Sequence, residues 1–123
     1  MGTLHEFGRQ RVLLYDADEP PVNGERRAAD LIGEALGERA TLLALPVGML
    51  DPAFFRLRSG LAGAITQKLV NYRLKLAVIG DITAHLDASG ALRDWVRECE
   101  RGGDVLFVPN FDALVTRLGG TTT

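Results

Sequence analysis

Ser59 and Gly60, with Arg56 and Arg58 just ahead of them, are the residues of this sequence whose types and spacing come nearest to chemistry. A serine at a helix start offers a hydroxyl and leaves backbone N–H groups unpaired, and two nearby guanidinium groups favour an anion. A phosphate could bind there or be attached to Ser59. The plainer reading is a helix cap, with Gly60 and Gly63 letting the helix approach the sheet and the arginines solvated. Asp16, Asp51 and Asp81 form a second set, each just past a strand-like run, where carboxylates could meet around Mg²⁺ or a phosphate site. Asp51 precedes Pro52 and serves better as a helix cap, and a loop aspartate is the default for the others.

Ser59, His85 and Asp81 can be written as a hydrolytic triad, but no nucleophile elbow surrounds Ser59. Cys99 shares a helical face with Leu92 and Trp95, which marks a packed thiol rather than a nucleophile. There is no C-x-x-C, H-E-x-x-H or phosphate loop. Gly60-x-x-Gly63 and Gly102-Gly103 do not follow a strand directly, as a dinucleotide fingerprint requires. No catalytic residue, metal ligand or cofactor is therefore assigned. The candidates for an anion or a partner are Arg56, Arg58, Ser59, Gly60, Gln67, Lys68, Asn71 and Asp81.

The elements that must position these residues can be read from hydrophobic period and turn chemistry. Thr3 to Phe7 and Arg11 to Tyr15 read as a hairpin around Gly8-Arg9-Gln10. Asp16 to Val22 is an acidic loop, and Asn23 is expected to cap a helix running to about Leu36, with Ala28, Leu31, Ile32 and Ala35 on one face. Thr41 to Val47 and Leu74 to Ile79 are apolar runs that suit strands covered on both faces. Between them, Asp51-Pro52 starts one helix carrying Phe54 and Phe55, and Ser59-Gly60 interrupts it or starts another. That next helix shows Leu61, Ile65, Leu69 and Tyr72 on one face. Phe54 and Phe55, adjacent on a helix, are not expected to face one core together, so one is offered to a partner subunit. Gly80-Asp81 opens a loop that contains His85. Ser89 caps a helix with Leu92, Trp95, Val96 and Cys99 on one stripe. Asp104 to Val108 is the last strand, Asn110 caps a final helix to about Leu118, and residues 119–123 read as a flexible tail.

Alternation of this kind predicts α/β architecture: a mixed, mainly parallel sheet of about five strands with an N-terminal hairpin and about four helices, in one domain over residues 1–118. Ligands of such sheets meet the carboxyl ends of the strands.

Composition bounds the function classes. The 123 residues are 46% hydrophobic and 24% charged, with one cysteine, so no internal disulfide forms and an ordinary core suffices. No apolar run has the length of a membrane span, and a cytoplasmic protein is expected. A net charge of -2 argues against general nucleic-acid or membrane-surface binding. The charge is uneven: Pro52 to Gly80 holds Arg56, Arg58, Lys68, Arg73 and Lys75 and no acid, which is +5, so the remainder carries -7.

The run from Phe54 to Tyr72, then Leu76 to Asp81, Leu92 to Cys99 and Val105 to Val108, resembles the bacterial family known as domain of unknown function 4180. The likeness is clear over the C-terminal half. The family's acidic residue after the second glycine is Ala64 here. Ser59-Gly60-Leu61 is also similar to the end of the motif that opens a helix in STAS domains, the anti-anti-sigma-factor fold, which share this order of elements. That resemblance implies a STAS-like fold and a hydroxyl switched by phosphorylation at Ser59, although Leu57-Arg58 stands where the motif has Asp-Ser.

Together these readings predict a non-enzymatic regulatory or protein-interaction module that uses the Ser59-Gly60 helix start and the helix to Tyr72. Its partner is an acidic or phosphorylated protein, or a second copy in a homodimer. The alternative is a small ligand-binding protein or enzyme with a phosphate or Mg²⁺ site at the carboxyl edge, using Asp16 and Asp81.

Overall fold

Leu42 to Leu45 and Leu76 to Val78 are buried without interruption, as strands at the centre of a two-sided sheet require. They belong to β3 (Leu42–Pro46) and β4 (Lys75–Ile79) of the computed structural model, which describes residues 2–119. Among the described residues, β1 (Thr3–Phe7), β2 (Gln10–Leu14) and β5 (Val105–Val108) complete a sheet whose five strands lie in chain order. β1 and β2 are antiparallel; every other neighbouring pair is parallel. The architecture is thus the expected mixed α/β sheet with an N-terminal hairpin.

Helices α1 (Glu25–Gly37), α2 (Leu61–Asn71), α3 (Thr83–Ala88), α4 (Gly90–Gly102) and α5 (Phe111–Arg117) connect or follow the strands. Right-handed crossovers that always add the next strand on the same side put their helices on one face. Accordingly Leu13, Leu43, Leu45, Leu76 and Val78 of the sheet share a core with Leu31 of α1, Ile65 of α2 and Leu92 of α4. The opposite face, carrying Val12, Leu42, Ala44, Ala77 and Val108, is covered by Leu114 of α5. At its start Phe111 packs on His5 and Phe7 of β1, with ring centroids 5.0 and 5.8 Å apart.

The outer edge of β5 is blocked by a side chain. Leu76 N–H donates to Asp104 O and Gly80 N–H to Val108 O, so the backbone of Val105 and Phe107 points away from β4. Glu100 Oε1 accepts the Phe107 N–H at 3.1 Å, while its Oε2 pairs with Arg117 at 2.7 Å.

Three expectations change. Asn23 does not cap α1: Gly24 holds that position with extended backbone and no side-chain bond. Asn23 is one residue too early, because Val22 is fixed by its N–H to Met49 O and its carbonyl to Asp51 N–H. In α2 the buried stripe is Ala62, Ile65 and Leu69, and Tyr72 lies past the last helical residue, half exposed. Residues 81–88, read as loop, contain α3, which raises the helix count from about four to five. Gly119 closes a terminal turn onto Thr116 O, and residues 120–123 of the expected tail lie outside the described residues. No helix among the described residues is long and apolar enough to cross a membrane.

Candidate functional site

The chain leaving β3 is folded into three 3₁₀ turns, Val47–Met49, Pro52–Phe55 and Leu57–Ser59, before α2 begins. Asp51 caps the second of these as its sequence suggests, with Oδ1 accepting from Ala53 N–H at 2.9 Å. Ser59 ties the turns together: its Oγ donates to Ala53 O at 2.6 Å and accepts from Leu61 N–H at 3.2 Å. Gly60 then takes a left-handed conformation, φ 77°, which a side chain would strain, and the chain turns into α2.

The chain leaving β4 passes Gly80, where a Cβ would lie 2.9 Å from Val47 Cγ2. Asp81 Oδ1 accepts from Thr83 N–H at 2.9 Å and so sets the start of α3. The Thr83 hydroxyl and N–H hold the Asp81 carboxyl below its usual range. α3 lays the His85 ring flat on Phe55, centroids 4.2 Å apart and planes 12° apart. Phe54 meets Trp95 of α4 edge-on at 6.0 Å. Both phenylalanines are therefore buried, at 0% and 4% exposure, which corrects the expectation that one is offered to a partner. Ser89 caps α4, its Oγ accepting from Leu92 N–H at 3.1 Å.

Between these two connections lies a groove of about 470 Å³. Arg56, Leu57 and Arg58 line one side, His85, Ala88, Ser89 and Ala91 the other, and Phe55 lies between. No carboxylate is in its lining. Arg56 and Arg58 are exposed, and neither guanidinium has an ion-pair or hydrogen-bond partner among the described residues. The arrangement can hold an anionic group against an apolar wall, with planar donors suited to a carboxylate or phosphate.

The other sequence candidates are elsewhere. Ser59 and Gly60 follow Arg58 directly but do not line the groove. Gln67 Nε2 donates to Asn71 Oδ1 at 3.0 Å, and Gln67 lines a separate cleft of about 260 Å³ with Val70, Glu98 and Cys99. From Leu61 to Asn71 the helix rises roughly 15 Å. Lys68, half-buried, also lies in the last turn of α2. Asp81 lines a third pocket, of about 320 Å³, together with Glu100, Leu86, Val96 and Phe107. Two carboxylates there oppose an anion.

Asp16 follows β2 and Asp81 follows β4, so a whole strand separates them and the distance between strand ends is roughly 10 Å. Among the described residues no group of three or more His, Cys, Asp or Glu could hold a metal ion. The triad is not assembled, since Ser59 gives its proton to Ala53 O, Asp81 accepts from Thr83 N–H and His85 stacks on Phe55. Cys99 is half-buried, and its thiol is pushed up to about 11 by burial, then by Glu100 and Glu98. Sequence reasoning missed His85 as a wall of the groove. The signal was Asp81 two residues before Thr83, which starts a helix that carries His85 toward Phe55.

A family model described as Domain of unknown function (DUF4180) matches residues 7–118. No curated protein and no solved structure matches the chain, so the resemblance of Ser59-Gly60-Leu61 and of the element order to STAS domains finds no support among them. Running from the last residue of β1 to the end of α5, the match makes this chain a member of the DUF4180 family.

Proposed function

We propose that the protein is a non-enzymatic binding module that captures an acidic segment of a partner protein in the groove between the Leu57–Ser59 turn and the start of α4. The observation that carries this reading is the pair of unpartnered guanidinium groups, Arg56 and Arg58, lining one groove with His85 and no carboxylate. Several other arginines are neutralised by the protein itself: Arg11 by Glu6, Arg27 by Glu34 and Arg117 by Glu100. The acid-free stretch from Pro52 to Gly80 adds a local positive field, while the acidic remainder disfavours extended polyanions. A non-enzymatic role is supported by the hydroxyl of Ser59 being bonded to Ala53 O and Leu61 N–H, the carboxylate of Asp81 being bonded to Thr83 N–H, and a Cys99 thiol held in its protonated form.

A hexa-aspartate peptide titrated calorimetrically is the direct probe. The wild type is expected to bind, more weakly as salt rises. Arg56→Gln/Arg58→Gln should lose about tenfold in affinity, the sum of two partly exposed charge contacts, and melt like the wild type. Equal binding by the double variant refutes the groove.

A further inference from the structure

We infer that β1 joins two copies of this chain into a symmetric dimer by antiparallel strand pairing, with the two-fold axis between facing His5 residues. The inference is independent of the groove. In β2, Arg11 O accepts the Thr41 N–H at 2.8 Å and Tyr15 N–H donates to Ala44 O at 3.1 Å, so Arg11, Leu13 and Tyr15 turn their backbone toward β3. Glu6 and Leu4, the partners of Arg11 and Leu13, therefore turn theirs to the outer side of β1. No hydrogen bond from another described element reaches those groups.

The devices that close a sheet edge are missing from β1. It contains no proline or lysine, its register with β2 runs unbroken from Thr3↔Leu14 to Phe7↔Gln10, and its acid, Glu6, is drawn back to Arg11 of β2. β5 carries the Glu100 block, so it offers β1 no match. The complement of β1 is then a second β1, a contact that uses the same patch on both copies and closes at two.

The register follows from parity and charge. Only Leu4 and Glu6 can exchange bonds across the edge, and setting Glu6 on Glu6 brings like charges face to face. Leu4 on Leu4 pairs just Thr3, Leu4 and His5 within the strand. Leu4 on Glu6 pairs the whole of β1, Thr3 with Phe7 and His5 with His5. It also brings the half-buried His5 and Phe7, packed on Phe111 in each copy, edge to edge across the axis.

Cysteines at position 5 would face each other in a non-hydrogen-bonded pair, Cα atoms about 4.5 Å apart, within disulfide reach. In a Cys99→Ala background, His5→Cys should therefore cross-link to a dimer on mild oxidation. Thr3→Cys, whose two copies would lie roughly 14 Å apart, should not. Sedimentation velocity of the wild type should show a monomer–dimer equilibrium between about 20 and about 1,000 µM, since a one-strand contact is small for a specific interface. Glu6→Pro removes the outward N–H and leaves the ladder to β2, and should weaken association more than about tenfold. His5→Glu sets two carboxylates opposite each other and should weaken it about fivefold. Should either variant unfold, the cysteine pair decides. The inference is overturned if the wild type stays monomeric at the highest concentration, if both variants dimerise like it, or if Thr3→Cys cross-links as readily as His5→Cys. Arg56→Gln/Arg58→Gln should dimerise as the wild type does, which keeps this result separate from that of the groove.

Discussion

Replacing Ser59 by alanine tests how the connection bearing Arg56 and Arg58 is held. The hydroxyl makes two hydrogen bonds, 2.6 Å to Ala53 O and 3.2 Å from Leu61 N–H, which join two 3₁₀ turns to the first turn of α2. A net contribution of about 0.5–1.5 kcal/mol per bond, taken low because the residue is exposed, gives a loss of about 1–2 kcal/mol. With an unfolding entropy of about 0.26 kcal/mol/K for a chain of this length, the melting temperature should fall by about 4–8 °C. Circular dichroism followed on heating, with urea unfolding as a cross-check, measures it. Ser59→Asp separates donor from acceptor: it can still accept from Leu61 N–H but sets a carboxylate against the Ala53 carbonyl oxygen, so it should be no more stable than Ser59→Ala. Esterifying this oxygen with phosphate would remove the same proton. If alanine melts within about 1 °C of the wild type, or aspartate melts above it, the hydroxyl is not the tie described here.

Two further outcomes follow from buried groups. With its thiol near 11, Cys99 should react with a thiol reagent at about pH 8 on the order of 100-fold more slowly than in the unfolded chain; comparable rates would refute the packing. The sign for stability is a loss on raising the pH between about 9 and 11, where the unfolded thiol has ionised and the folded one has not, and Cys99→Ala should flatten that part of the curve. The Tyr15 hydroxyl is buried with no hydrogen-bond partner within 3.5 Å; burial, then the charge of the nearby Glu34 carboxylate and a polar contact to it too long for a proper bond, raises it above the usual range. Tyr15→Phe should accordingly be neutral or stabilising by up to about 1 kcal/mol in urea unfolding, and a loss of that size would show that the oxygen is bonded.

The strands and caps were legible because each carries its own local signal. Leu42 to Leu45 and Leu76 to Val78 are apolar without a break, and Asp51, Ser89 and Asn110 all make the bonds to following N–H groups that their positions promise. α3 was not legible for a physical reason: Thr83–Ala88 contains no fully buried residue, so no periodic stripe marks it. That one omission hid the site. Without α3 the ring stacked on Phe55 is missing, and two adjacent phenylalanines read as needing an outside partner; with it, His85 stacks on one while Trp95 of α4 meets the other. Arg56 and Arg58 were legible as charge, but their convergence with His85 depends on contacts between two connections some thirty residues apart, which no local pattern records.

The side chain of Glu100 has a consequence for the chain in a crowded solution. An open sheet edge is a template: an incoming strand finds a row of donors and acceptors, and each addition exposes a new edge like the last. At β5 the arriving strand meets an anion where it needs the Phe107 N–H, and must first part Glu100 from Arg117. Growth from that side therefore stalls at its first step, and the four-residue strand that closes the sheet also ends its propagation from molecule to molecule.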